Sequence, residues 1–133
     1  MISSVDTNIL LDVFLPDKGF AQASANLLKL AYDEGGLIIS HIVYAELVPQ
    51  FKDRRKLDAA LSMLSVSQSP IDADIAFLAG ERWAHYRRSG GKRKRIITDF
   101  LIAAHAELRS ERFLTRDRGF YDSYFPELRI LAP

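Results

Sequence analysis

Short apolar segments recur along the chain and alternate with longer segments whose apolar residues have helical spacing. The segments "ISSVD" near the amino terminus and "LIIS" at 37–40 predict two strands. Near the carboxyl terminus, "RFLT" at 112–115 and "RILA" at 129–132 predict two more. Short strands that alternate with helices are typical of an α/β domain with a mostly parallel sheet. We therefore predict one α/β domain over residues 1–133.

The helical segments are recognised by their spacing and by their stop signals. Apolar residues at i, i+3, i+4 and i+7 predict one face of a helix over 57–64, and Pro16, Gly35 and Pro49 follow the ends of three others. Residues Phe20, Ala23, Leu27 and Leu30 predict the buried face of the second helix. The predicted helices are "TNILLDVF", 20–32, "HIVYAEL" with Ser40 as its N-cap, 57–64, a helix from Asp72 through Tyr86, and "TDFLIAAHAELRS" with Thr98 as its N-cap.

The composition changes this picture little but excludes several kinds of chemistry. The net charge of +1 does not mark the whole chain as a nucleic-acid binder, so any basic patch must be local. The absence of cysteine excludes disulfides, thiolate metal sites and cysteine nucleophiles. No apolar run is long enough to cross a bilayer, and Asp6 interrupts the only segment that resembles a signal peptide. We expect a cytoplasmic protein without a membrane segment.

Four carboxylates stand alone among apolar or uncharged neighbours. Asp6 is the only charged side chain between the first residue and Asp12, Glu46 the only one between Glu34 and Lys52, and Asp99 the only one between Arg95 and Glu107. Asp117 follows the segment "RFLT". Sites in open parallel sheets form outside the carboxyl ends of the strands. We therefore expect Asp6, Glu46, Asp99 and Asp117 to converge on that edge of the sheet.

Each of these carboxylates also has a simpler explanation when it is considered singly. A strand-end Asp caps the next helix, a first-turn Asp interacts with the helix dipole, and a helical Glu is often solvated. Together, however, four neighbouring anions repel one another unless a cation lies among them, and repulsion raises their pKa values. Carboxylate oxygens without cysteine favour Mg²⁺ or Mn²⁺ over zinc or copper. The pattern therefore predicts a divalent-metal site.

The chain resembles the PIN-domain ribonucleases, and most closely the VapC toxins of bacterial and archaeal toxin–antitoxin pairs. The matching segments occur in the family's order over the whole chain: "VDTNILL", "ISHIVYAEL", "RIITDFLIAAHAEL" and "FLTRDRGFYDSYFPELRIL". The resemblance implies a PIN-like three-layer fold with a central sheet of four to five strands and helices on both faces. It matches Asp6, Glu46, Asp99 and Asp117 to the acidic quartet that holds divalent metal, Asn8 to the Asn after the first Asp, and Thr115 to the hydroxyl residue before the last one.

The resemblance also implies an activity and partners. It implies a Mg²⁺-dependent endoribonuclease, with Mn²⁺ as a possible substitute, that acts as the toxin of a type II toxin–antitoxin pair. The expected partners are RNA, a VapB-like antitoxin and a second copy in a homodimer. Two alternatives stay open: a PIN nuclease that processes or degrades RNA without an antitoxin, and a catalytically silent RNA- or partner-binding module. The residues expected to hold the carboxylates in place are Thr7, Asn8, Ser40 and Thr115.

Basic residues near the predicted site have two explanations. The segment "RRSGGKRKR" is either a solvated connector or a set of phosphate contacts upstream of Asp99. Arg116 and Arg118 could contact substrate phosphate or the carboxylates. The candidate RNA-binding residues are Lys92, Arg93, Lys94, Arg95, Arg116 and Arg118. The three histidines follow no ligand spacing, and we expect His105 to be packed in the core and Asp12 and Asp17 to lie on the surface.

Overall fold

The strands of the chain form one five-stranded parallel sheet with the order β3-β2-β1-β4-β5. The computed structural model describes residues 1–15, 19–90 and 96–133. The strands are β1 Ile2–Val5, β2 Gly36–Ser40, β3 Val66–Ser69, β4 Arg112–Leu114 and β5 Ile130–Leu131. The strands β2 and β3 follow one another on one side of β1, and β4 and β5 lie on its other side. This change of side at β1 is the kind of position where binding sites form in α/β sheets.

The helices connect these strands, and several begin at the polar caps that the sequence provides. Ser40, Asp53 and Asp72 each accept a hydrogen bond from a backbone N–H in the first turn of the helix that follows. A short 3-10 turn, Val48–Gln50, follows the third helix. The helices are α1 Thr7–Phe14, α2 Ala21–Glu34, α3 His41–Leu47, α4 Arg54–Met63, α5 Ala73–Arg88, α6 Ile97–Arg109 and α7 Arg118–Tyr124.

The α/β fold class and the parallel sheet expected from the sequence are confirmed, but two elements were not predicted. The strand β3 has the sequence "VSQS" and lies at the edge of the sheet, where only Val66 of the four is buried. It therefore lacks the apolar signature of an internal strand. The helix α7 was not predicted either. In addition, α6 begins at Ile97 with Ile96 as its N-cap, so the prediction of Thr98 as the N-cap is wrong.

The buried face of α2 also differs from the predicted one. Phe20 and Leu30 are exposed, whereas Ser24, Leu28 and Ala31 are buried. Ser24 is buried because its hydroxyl donates a hydrogen bond of 2.7 Å to the Asp12 carboxylate. The expectation that Asp12 lies on the surface is therefore wrong, since only 3% of Asp12 is exposed. Asp17 lies outside the described residues.

The core contains a cluster of aromatic rings between α5, α6 and the carboxyl-terminal segment. The Tyr86 ring lies 5.5 Å from Phe100, and the Phe100 ring lies 5.3 Å from Phe120, in tilted and edge-to-face contacts respectively. This cluster fixes the position of α6, whose third residue is Asp99, and of α7, which begins after Asp117. None of the helices in the described ranges combines the length and the apolar character needed to span a membrane.

His105 is packed in the core, as expected, and both of its ring nitrogens lack a hydrogen-bond partner among the described residues. Burial lowers its pKa to about 4, and the positive charges of Arg109 and His41 act in the same direction against Asp72. The unfolded chain therefore binds a proton near the ordinary pKa of 6.5, while the folded chain resists it. Stability from this group is complete above pH 6.5 and is lost as the pH falls toward 4.

We expect His105→Phe to stabilise the fold and to remove this acid-sensitive contribution. A flat ring is kept, no hydrogen bond among the described residues is lost, and the cost of burying two polar nitrogens disappears; the core must accommodate a phenyl ring that is larger than the imidazole. The contribution removed between pH 6.5 and 4 amounts to about 3 kcal/mol. Urea unfolding at pH 7.5 and pH 4 measures it, with exposed His85→Phe as the control. An unchanged pH dependence in His105→Phe would contradict the expectation.

Candidate active site

The four lone carboxylates line one cleft at the carboxyl end of the two central strands. Val5 of β1 pairs with Leu114 of β4, and the next residue, Asp6, donates its backbone N–H to the Leu114 carbonyl at 2.9 Å. The ends of β1 and β4 therefore lie side by side. The cleft has a volume of about 240 Å³ and is lined by Asp6, Thr7, Asn8, Leu11, Glu46, Asp99, Ile102, Asp117 and Tyr121.

Asp6 lies at the bottom of this site, with only 6% of its surface exposed. Its Oδ1 accepts the Thr7 backbone N–H at 2.8 Å, and its Oδ2 accepts the Thr115 hydroxyl at 2.7 Å and the Asn8 amide at 3.3 Å. Burial raises the pKa of Asp6 to about 6, although the hydrogen bonds from Thr115 and Thr7 act in the opposite direction. The negative charges of Glu46 and Asp99 raise the Asp6 pKa further. All of its hydrogen-bond donors named here are neutral.

Thr115 and Asn8 join β1 to the loop after β4. The Thr115 hydroxyl donates to Asp6 and accepts the backbone N–H of Asp117 at 3.0 Å. The Asn8 Oδ1 accepts the backbone N–H of Arg116 at 3.3 Å, and its amide nitrogen lies 3.5 Å from the Thr115 hydroxyl. These two polar side chains therefore connect Asp6 to the segment that carries Asp117.

Glu46 and Asp99 reach the cleft from two different helices. Glu46 is exposed on α3, and its Oε1 accepts the Thr7 hydroxyl at 2.6 Å. Asp99 is half-buried in the first turn of α6, and its Oδ2 accepts the backbone N–H of Ile96 at 3.3 Å. Ser40, the fourth residue expected to hold a carboxylate, instead accepts the Val43 N–H at 3.2 Å and caps α3. Ser40 thus acts on Glu46 only through the helix that carries it.

The donor chemistry of the cleft fits a hard divalent cation. All four carboxylates are oxygen ligands of the kind that Mg²⁺ and Mn²⁺ prefer, and a cation would relieve the desolvation and repulsion that raise the Asp6 pKa. Within residues 1–15, 19–90 and 96–133, no three acidic or histidine side chains are already gathered to hold a metal ion. A cation held by three of these carboxylates would therefore need their side chains to move closer together, and Glu46 and Asp99 would exchange their present hydrogen bonds for it.

Two of the candidate RNA-binding arginines have partners within the protein. The Arg116 guanidinium lies 3.1 Å from the Asp12 carboxylate and 4.2 Å from the centre of the Phe20 ring. The Arg118 guanidinium donates to the Ile130 carbonyl at 3.3 Å. The other four candidates, Lys92, Arg93, Lys94 and Arg95, lie outside the described residues.

Three cleft residues were missed because they carry no charge. Leu11 and Ile102 follow Thr7 and Asp99 by four and three positions, so each shares a helical face with a predicted site residue. Helical spacing could therefore have identified both of them. Tyr121 had no such signal, because α7 was not predicted and Asp117 was placed only at the end of a strand.

A family model described as "PIN domain" matches residues 4–126 of the chain. The resemblance to the PIN-domain proteins that the sequence motifs indicated is therefore confirmed. None of the curated protein sequences matches this chain at a significant level.

Several solved structures resemble this fold over nearly the whole chain. One contains VapBC2 from Rickettsia felis bound to a DNA fragment from its promoter; the TM-score is 0.76 at 23% identity, covering 99% of this chain and 98% of that one. VapBC-1 from nontypeable Haemophilus influenzae gives 0.69 at 23% identity, with coverage of 99% and 98%. VapC20 from Mycobacterium tuberculosis, described as a sarcin-ricin-loop-cleaving toxin, gives 0.61 at 18% identity, with coverage of 96% and 98%.

Proposed function

The chain belongs to the PIN domain family, and on that premise we propose that it is a divalent-metal-dependent endoribonuclease, the toxin of a type II toxin–antitoxin pair. The observation that carries the proposal is the convergence of Asp6, Glu46, Asp99 and Asp117 on one cleft. The buried Asp6, with a pKa raised to about 6 and neutral hydrogen-bond donors, supports a cation at this position.

In this proposal some of the four carboxylates bind the metal and others orient the attacking water. Asp6 and Asp99, with Asp117, would hold Mg²⁺, which lowers the pKa of a bound water and neutralises charge on the scissile phosphate. Glu46 or Asp117 would orient the attacking water or complete a second, weaker metal site. Thr7, Asn8 and Thr115 keep these side chains in place through the hydrogen bonds described above. The resemblance to the PIN-domain ribonucleases implies that hydrolysis here would cleave an RNA phosphodiester and leave a 5′-phosphate.

Cleavage of a labelled RNA by the purified protein tests the proposed activity. We expect cleavage in Mg²⁺ or Mn²⁺, none in excess EDTA, and recovery when Mg²⁺ is restored. Without a bound cation, the negative carboxylates would repel the RNA phosphate and could not neutralise its charge. Undiminished cleavage in EDTA would contradict a metal-dependent mechanism. Metal-independent RNA binding without cleavage would instead support the catalytically silent module.

The toxin role rests on the similarity to VapBC proteins and to VapC20, which is described as a toxin. The proposed partners are a VapB-like antitoxin and a second copy of this chain, in the cytoplasm. The acidic cleft would accept an arginine from the antitoxin, because guanidinium pairs well with carboxylates. Lys92, Arg93, Lys94 and Arg95, which precede Asp99 in the sequence, are proposed to contact RNA phosphates.

We expect the protein to form a homodimer, and we expect the antitoxin to inhibit RNA cleavage through an arginine. Light scattering at micromolar concentration should give twice the mass of one 15.0 kDa chain. Coexpression with the proposed VapB-like antitoxin should suppress RNA cleavage, and replacing the arginines in the antitoxin's carboxyl-terminal segment should restore cleavage. A monomeric mass would contradict the dimer, and an arginine-free segment that inhibits equally well would contradict the proposed contact.

A further inference from the structure

An ion pair between a buried carboxylate and a partly exposed guanidinium lies one residue away from the proposed metal-binding Asp117. Only 3% of Asp12 is exposed to solvent, and its two carboxylate oxygens have separate partners. Oδ1 lies 3.1 Å from the Arg116 guanidinium, and Oδ2 accepts the Ser24 hydroxyl at 2.7 Å. A carboxylate at this depth requires a cation, and Arg116 provides it. The pair therefore differs from the exposed Lys29–Asp33 pair on α2, which is open to water at both ends.

Arg116 is fixed by its backbone as well as by its side chain. Its backbone N–H donates to Asn8 Oδ1, and its guanidinium lies over the Phe20 ring at 4.2 Å from the ring centre. Arg116 therefore connects the short loop after β4 to α1 through Asn8 and Asp12, and to the start of α2 through Phe20. The residues on either side of it, Thr115 and Asp117, belong to the site.

We infer that Arg116 is a positioning residue that holds the Asp117 carboxylate in the cleft by anchoring its loop to Asp12. This inference rests on the proposed nuclease function and gives Arg116 a role other than phosphate contact. Thr115 holds the inner side of the loop, because its hydroxyl donates a hydrogen bond to Asp6 and accepts one from the Asp117 N–H. The Arg116–Asp12 pair secures the outer side. Loss of the outer anchor lets the Asp117 backbone shift, which displaces its carboxylate from the metal.

The choice of variants follows from the burial of Asp12. Arg116→Gln alone leaves a buried carboxylate without its cation and risks unfolding the protein. The double variant Asp12→Asn/Arg116→Gln removes both charges together, keeps an acceptor for Ser24 and breaks the charged anchor. Arg116→Lys keeps a cation for Asp12. Ser24→Ala is the matched control, since it removes the other hydrogen bond of Asp12 and leaves the loop anchored.

The test compares RNA cleavage, Mn²⁺ binding by calorimetry and thermal stability in these proteins. We expect the double variant to lose about tenfold or more in kcat and in Mn²⁺ affinity, with KM for RNA nearly unchanged, as is typical when a group supporting a metal ligand is removed. Arg116→Lys should recover part of both losses. Ser24→Ala should lower the thermal stability, because it removes a hydrogen bond to the buried Asp12, yet it should keep the kcat and the Mn²⁺ affinity of the parent.

Each remaining outcome overturns the inference. A double variant with raised KM, a weaker salt dependence of RNA binding and unchanged Mn²⁺ affinity would make Arg116 a phosphate contact. Parental kcat and Mn²⁺ affinity in the double variant would leave the pair with a purely structural role. A parent that binds no Mn²⁺ and cleaves no RNA would overturn the proposed function and this inference with it, whereas the first two outcomes leave the proposed function intact.

Discussion

Asp99→Asn should reduce RNA cleavage by at least about a hundredfold while the protein stays folded. The substitution removes one anionic ligand from the cleft, and the neutral amide binds Mg²⁺ more weakly. The Asn oxygen can still accept the Ile96 N–H that Asp99 now accepts at 3.3 Å, so the start of α6 is preserved. Single-turnover cleavage at saturating RNA, with thermal unfolding of the same samples, measures both effects.

Asp74→Asn is the matched control for this experiment. Asp74 is also a first-turn aspartate of a helix, but it is exposed on α5 and does not line the cleft. We expect parental cleavage from Asp74→Asn, because its carboxylate is exposed at the start of α5 and lies outside the cleft. Full activity in Asp99→Asn, or an equal loss in the two variants, would show that Asp99 has no specific role in catalysis.

Asp6→Asn should stabilise the metal-free protein at neutral pH although it abolishes activity. The folded-state pKa of Asp6 is about 6 and its ordinary value is 3.8, so the folded chain holds a proton that the unfolded chain releases. The free energy of unfolding therefore falls as the pH rises from about 4 through 6, and the loss is complete above 6. About two pKa units correspond to about 3 kcal/mol at pH 7.5 and to about 1 kcal/mol near pH 4.5.

Urea unfolding in EDTA at these two pH values measures the gain. Asp72→Asn is the control, because Asp72 also caps a helix but is exposed and pairs with Arg109. The hydrogen bond from the Ile75 N–H lowers the pKa of Asp72, so the loss of this carboxylate's charge should not stabilise the protein. A gain in Asp6→Asn that is equal at the two pH values would contradict desolvation as its cause. A destabilised Asp6→Asn at pH 7.5 would contradict the same cause more directly.

Isolation among apolar residues is visible without a structure, and the four carboxylates that it marks line one cleft. Asp6 stands in "SVDTNILL" and Asp99 in "IITDFLIAA", and parallel strands bring their carboxyl ends to one edge. The simpler explanations were true as well, since Asp6 bonds the first N–H of α1 and Asp99 bonds the N–H of Ile96. Capping and convergence on a cleft are compatible, because the start of a helix after a strand lies at the same edge.

Other features depend on contacts that no local pattern records. Asp12 occupies a helix position that pattern alone assigns to solvent, and only its tertiary partners Arg116 and Ser24 explain its burial. The hydrogen bond between Ser24 and Asp12 lies on a face of α2 other than the one predicted to be buried. The strand β3 was missed because an edge strand has one open side and tolerates polar residues such as Gln68. Tyr121 entered the cleft on a helix that the sequence did not predict.

Calorimetric titration of Mn²⁺ into the parent protein and into Asp6→Asn and Asp99→Asn tests the central claim most directly, because it measures metal binding at the cleft without RNA. The account predicts saturable binding by the parent and at least about a tenfold weaker association in each variant, since each lacks one carboxylate ligand. Parental affinity in both variants, or a parent that binds no Mn²⁺, would contradict the assignment of this cleft as the metal site.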